Sequence, residues 1–142
     1  METRLIFGPQ ERKTDMNALV LEGGGMRGLF TAGALDALMD HRIYIDRCYG
    51  VSAGACNMIS YYSGQRGRSR RVNVDYAGDK RYMSWDNFFK TGSLFSEEMM
   101  YHTIPETLLP FDYDAYQKAN PEAYAGATSM PSGRPAYLRV PA

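Results

Sequence analysis

Several things are scarce in this sequence, and each scarcity excludes something. Cysteine occurs twice and histidine twice in 142 residues. Cys48 and Cys56 have no His or Cys neighbours at metal-ligand spacing, so they are expected to be reduced core residues, and neither a disulfide framework nor a metal site is expected. Surplus charge is missing too, because 16 Lys+Arg balance 16 Asp+Glu. A neutral chain lacks the general attraction that polyanions exert on basic proteins, so nucleic acid is not an expected partner. Long apolar runs are absent: no stretch approaches the roughly 18 residues of a membrane span. Leu5-Ile6-Phe7, ended by Gly8-Pro9, is shorter than the roughly 7–15 residues of a signal-peptide core. A cytoplasmic location follows, with any lipid contact peripheral.

What is present suffices for one domain with a core of useful size, since a chain near 150 residues buries about 68–70% of its unfolded surface. Residues 1–16 are a polar lead-in. Ala18-Leu19-Val20-Leu21 is a continuous apolar run ended by glycines, the pattern of a strand buried on both faces. Met26, Leu29, Phe30, Gly33, Ala34, Ala37 and Leu38 then recur at helical spacing, opposite Arg27, Thr31, Asp36 and Asp40. Ile43 to Val51 reads as a second strand. A second helix starts near Ala53, with Ala55, Cys56, Ile59 and Tyr62 on its inner face and Gly64 at its C-terminal cap. Strand, helix, strand, helix predicts an α/β fold: a mainly parallel sheet with helices on both faces and right-handed crossovers.

Arg66, Arg68, Arg70 and Arg71 crowd a segment, residues 64–82, that reads as a solvated loop or, more sharply, as a patch for phosphate or lipid head groups. Ser84 can cap a short helix carrying Trp85, Phe88 and Phe89 as core aromatics, and Ser96 another that ends before Pro105. Residues 105–121 look like an irregular connection. Glu122 to Met130 and Pro135 to Val140 read as two strands joined by a tight turn.

Two motifs carry chemistry. Gly50-Val51-Ser52-Ala53-Gly54 is a G-x-S-x-G at a strand-to-helix junction. A sharp turn there forces the serine into a strained conformation and exposes its hydroxyl above the sheet, so small flanking residues are needed. The plainer reading is a glycine-rich turn with a helix-capping serine. Gly23-Gly24-Gly25-Met26-Arg27-Gly28 sits at the other strand-to-helix turn. Alone it satisfies G-x-G-x-x-G and could cradle a dinucleotide pyrophosphate, with Asp46 for the ribose. Unobstructed glycine amides serve equally as an oxyanion hole. The serine motif favours the second use: a nucleophile beside an anion nest means acyl transfer, and no cofactor is expected.

The run from Leu19 to Gly28, followed by Tyr49-Gly-Val-Ser-Ala-Gly54, resembles the N-terminal half of the bacterial patatin-like phospholipases; Tyr82 to Phe95 also resembles that family's middle region. The resemblance implies a patatin-like three-layer α/β/α domain over residues 17–142, acting on lipid or other acyl esters through a Ser-Asp dyad. Ser52 would be the nucleophile, and the backbone of Gly24, Gly25 and Met26, with Arg27 nearby, the oxyanion hole. The family's aspartate lies in an Asp-Gly-Gly or Asp-Gly-Ala motif, and this sequence has no Asp-Gly pair. The chain is therefore expected to be the N-terminal part of such a domain, short of its base, inactive alone and prone to self-association through an uncovered sheet edge. The other class of reading is a silent remnant that binds a lipid or partner surface. His102, with Asp75, Asp79 or Asp86, would complete a triad in the order of Ser-Asp-His hydrolases. A lone helical histidine is more often packing or surface, and His41, directly after a helix, would complement its dipole. Asp112 and Asp114 lack the glycine neighbours of the family motif.

Overall fold

The computed structural model describes residues 17–141. The polar lead-in, with Leu5-Ile6-Phe7, lies outside the described residues. Strands β1 (Ala18–Leu21), β2 (Arg47–Gly50), β3 (Glu122–Thr128) and β4 (Pro135–Arg139) form one sheet in the order β1-β2-β3-β4. The first three are parallel; β4 returns antiparallel to β3. Helices α1 (Gly28–Asp40) and α2 (Ala53–Tyr62) provide the first two crossovers' helical mass. The α/β class and the mainly parallel sheet are as expected.

The register puts Leu19, Cys48 and Ala123 in one row. That row and Leu21 pack with Leu35, Met58, Tyr61, Tyr62 and Tyr116 into the main core. On the other face Val20 is 79% exposed, so β1 is covered on one side rather than two. Tyr49 there stacks on Tyr124, ring centres 5.0 Å apart, with Tyr137 edge-on at 5.6 Å.

Both long helices sit rotated from their expected faces. In α1 the buried residues are Ala32 and Leu35, while Phe30, Gly33, Ala34 and Ala37 are exposed. This helix is Gly-, Ala- and Leu-rich all round, so spacing fits more than one face, and polar contacts set the phase. Asp36 Oδ1 accepts from the Gly67 amide at 2.9 Å, and Arg66 donates to both oxygens of Asp40. In α2 the buried set is Gly54, Asn57, Met58, Ser60, Tyr61 and Tyr62. Cys56 is exposed, contrary to expectation, whereas Cys48 is buried.

The second strand is shorter than Ile43 to Val51. The Tyr61 hydroxyl donates to the Ile43 carbonyl at 2.8 Å and accepts from the Ile45 amide at 3.0 Å, and Tyr62 donates to the Ile45 carbonyl at 2.6 Å. Those backbone groups are thus taken before any strand could use them.

Residues 64–82 are not all loop: α3 (Arg68–Arg70) runs into a π-helical turn, Arg71–Asp75, with turns on either side. The arginines do not share one environment, although Arg66, Arg70 and Arg71 are exposed. Arg66 binds Asp40, Arg70 lies 3.7 Å from Asp75, and Arg68 is 7% exposed, bonded to the Leu109 and Pro110 carbonyls beneath the Phe111 ring. Ser84 does cap α4 (Trp85–Thr91), its Oγ accepting from the Asn87 amide at 3.1 Å. The expected core aromatics are outside: Trp85 is 67% and Phe89 80% exposed, and Phe88 packs edge-on against both. Seven residues are too few to bury that face on their own account, and their rings pair with one another instead.

The helix expected to stop before Pro105 is a π-helix, Met99–Leu108, that passes through it. The wider i to i+5 turn, seen where the Leu109 amide reaches the Ile104 carbonyl at 2.8 Å, accommodates the proline ring that an α-helical turn would exclude. Tyr82, Met99, Ile104 and Leu109 form a second, smaller core. The connection over 105–121 also holds α5 (Tyr113–Ala119), capped by Asp112 Oδ1 accepting from the Ala115 amide at 2.8 Å and ended by Asn120 in the left-handed region.

Candidate active site

The two glycine motifs meet at one edge of the sheet because β1 and β2 are parallel neighbours and both lead there. Leu21 and Gly50 are register partners, and the Val51 amide donates to the Leu21 carbonyl at 3.0 Å, extending the pairing past both strand ends. Beyond it the chain turns sharply at Ser52, which has φ 51° and ψ −121° and is exposed. A side-chain-bearing residue in that region costs about 1–3 kcal/mol unless its surroundings hold it there.

Here the surroundings are close-packed backbone. The Gly54 amide donates to Val51 O at 2.9 Å, and the Ala55 and Cys56 amides to Ser52 O at 2.9 and 3.2 Å, so α2 winds up immediately after the serine. A Cβ on Gly50 would stand 2.7 Å from Ala55 Cα; one on Gly54 would stand 2.7 Å from Glu22 O. Gly23 faces the serine itself, since its Cβ would lie 3.2 Å from Ser52 Cβ and 3.3 Å from Val51 O. A Cβ on Gly28 would meet Ala53 Cβ at 3.0 Å. Gly23, Gly28 and Gly54 therefore serve the docking of one loop on the other, and Gly50 the close return of α2 onto its own strand end. Val51 is exposed, and Gly126 of β3 makes room for it, since a Cβ there would meet Val51 Cγ2 at 2.7 Å.

The glycine loop ends in a 3₁₀ turn, Gly25–Arg27, that leads directly into α1. Gly24 is extended at φ 169°, and Gly25 is left-handed at φ 54°. The Arg27 amide donates back to Gly24 O at 3.1 Å. The leading amides of such a turn have no partner within it, which leaves those of Gly25 and Met26 as donors and takes the Arg27 amide out of use. The Met26 and Arg27 side chains are exposed. The positive end of α2 also points towards Ser52.

Other candidates lie in other company. Asp46 precedes β2, beside the start of β1, at the opposite end of the strands from the glycine loop, so it cannot serve a dinucleotide bound there. Asp79 bonds Arg81, whose guanidinium holds its carboxyl below the usual range, and His102 lies 3.2 Å from Glu106 one turn on. His41 ends α1, its amide donating to Ala37 O. Asp112 is occupied as the α5 cap. Sequence reasoning passed over Asn57, whose Nδ2 donates to the Gly28 carbonyl at 2.9 Å. Its one signal was a carboxamide among small and apolar residues soon after the serine.

The chain matches the patatin-like phospholipase family over residues 19–131. It belongs to that family. Both glycine motifs, β2, β3 and all of β1 but Ala18 fall within the match. The chain is also 40% identical over 78 residues to the uncharacterized protein YjjU of Escherichia coli (strain K12), an alignment covering 54% of this chain and 22% of that protein. No solved structure matches. Among the described residues, no helix is long and apolar enough to cross a membrane.

Proposed function

We propose that this chain carries the nucleophile and oxyanion half of a serine-dependent lipid acyl hydrolase. The observation that carries the reading is Ser52 held at φ 51° on a turn packed directly against the glycine loop. A capping serine needs no such conformation, and Ser52 makes no side-chain capping bond. In the proposed reaction Ser52 Oγ attacks the ester carbonyl carbon and its proton passes to a base. The negative charge on the carbonyl oxygen falls to the Gly25 and Met26 amides, each such donor being worth about 3 kcal/mol. Collapse expels the alcohol, and water then hydrolyses the acyl-serine. By family resemblance the base is an aspartate of an Asp-Gly motif, which this sequence does not contain.

A serine without its base is a poor nucleophile, and that favours a second reading, in which the chain binds a lipid or partner surface without turnover. The exposed Trp85, Phe88 and Phe89 suit peripheral contact with a lipid interface, and the outer edges of β1 and β4 suit self-association. A fluorophosphonate probe separates the readings. Labelling at Ser52, lost in Ser52→Ala, supports the hydrolase; ester hydrolysis that survives Ser52→Ala defeats it.

A further inference from the structure

Asn57 lies on α2, five residues after Ser52, and is 3% exposed. A buried carboxamide is costly unless its hydrogen bonds are made. Its Nδ2 donates to the backbone carbonyl of Gly28, 29 residues away in sequence, at 2.9 Å. Gly28 is the first residue of α1 and directly follows the 3₁₀ turn that opens with the Gly25 and Met26 amides. A Cβ at Gly28 would lie 3.4 Å from Asn57 Nδ2 and 3.0 Å from Ala53 Cβ, so the glycine is what lets the two helix starts close to bonding distance.

We propose that Asn57 is a positioning residue for the Ser52 reaction: its bond to Gly28 fixes the oxyanion amides relative to the nucleophile. The inference rests on the hydrolase reading above. Below the site, the bond from the Val51 amide to Leu21 O already ties the two strand ends. That bond lies on the strand side of the turns, as does the close packing of Gly23 and Gly54 between the two loops. Asn57 supplies a second tie on the far side of the loop, between the rigid helices that carry the two reacting groups. Removing the Asn57 bond leaves that packing in place and permits a shift without unfolding, and misplacement near 1 Å can lower a rate about 100-fold.

A purely structural staple between α1 and α2 would use the same bond, so the test must separate geometry from stability. Asn57→Asp provides this. Its carboxyl, when protonated, can donate to Gly28 O as the amide does; when ionised, it faces that carbonyl as a repelling charge. Fluorophosphonate labelling of Ser52, measured relative to wild type at each pH, should be reduced about 10- to 100-fold in Asn57→Asp near pH 8 and recover towards wild type near pH 5. Asn57→Ala should be reduced to a similar extent at every pH, with thermal melts showing both variants folded at the assay temperature. Wild-type labelling rates in both variants, a pH-independent ratio in Asn57→Asp, or losses that track only the unfolded fraction overturn the proposal. Should Asn57→Asp unfold near pH 8, or the wild-type chain take no label for want of its base, amide hydrogen exchange in Asn57→Ala decides. Faster exchange at the Arg27 amide, whose bond to Gly24 O closes the oxyanion turn, with β2 unchanged supports positioning, and unchanged exchange refutes it. Ester hydrolysis that survives Ser52→Ala defeats the hydrolase reading itself, and the role of Asn57 with it.

Discussion

Replacing Ser52 by glycine should make the protein more stable while removing its proposed nucleophile. Ser52 occupies φ 51° and ψ −121°, where glycine rests without steric cost and other residues are strained by about 1–3 kcal/mol. Against that relief stands the greater freedom glycine gives the unfolded chain, about 0.5–1 kcal/mol. The net expectation is a gain of about 1 kcal/mol. Unfolding entropy near 2.1 cal/mol/K per residue converts this, for a chain of this size, into a rise of about 3 °C in Tm. Ser52→Ala keeps the Cβ and therefore the strain, and because the hydroxyl makes no capping bond, its stability should stay within about 0.5 kcal/mol of wild type. The comparison of the two variants isolates the backbone term. Ala55→Gly, within regular α2, is the control and should lose about 1 kcal/mol. Calorimetric melts of the four proteins check this. Ser52→Gly melting at or below Ser52→Ala would refute the claim that strain is stored at the serine.

Gly54→Ala should be among the most disruptive single-methyl additions available, because the new Cβ would stand 2.7 Å from Glu22 O. Overpacking against backbone costs about 1–3 kcal/mol, and both the urea midpoint and Ser52 labelling should fall. Alkaline pH should destabilise the fold through groups that burial keeps protonated. The Cys48 thiol and the Tyr61 hydroxyl are each pushed up to about 12. The unfolded chain ionises them from about pH 9 and 10, so stability is fully present below pH 9 and falls as pH rises towards 12. Cys48→Ala should flatten the decline in unfolding free energy from urea titrations by up to about 1.4 kcal/mol per pH unit; an unchanged slope would remove Cys48 as a cause. Trp85 is the single tryptophan, so its fluorescence reads one site. Emission close to that of free tryptophan, with ready iodide quenching, is expected from its exposure, and a blue-shifted, protected signal would contradict the placement of α4. Thiol reagents should modify Cys56 in the folded protein, slowly because its surroundings push the thiol up, and Cys48 only on unfolding.

How far each feature could be read in advance follows from what kind of constraint fixes it. The Ser52 turn and the glycine loop were legible because crowding admits few residues: at Gly23, Gly28 and Gly54 a Cβ would meet the other loop, and at Gly50 the start of α2. Such a requirement acts on residue identity directly, so identity reveals it. The face of α1 was not legible by the same route. Its Gly, Ala and Leu residues satisfy helical spacing around most of the circumference, and the phase is chosen by Asp36 on the Gly67 amide and Asp40 on Arg66, partners that only the fold supplies. Arg68 was hidden for a related reason: a run of like charges reads as one solvated face, and Arg66 is indeed exposed, yet α3 sends Arg68 into the Leu109–Phe111 corner. Asn57 belongs with these. A buried carboxamide has no spacing rule of its own, and its meaning depends on which carbonyl it meets. That carbonyl is Gly28's, within the other chemical motif, so the residue most easily missed in the sequence is the one that ties its two most legible features together.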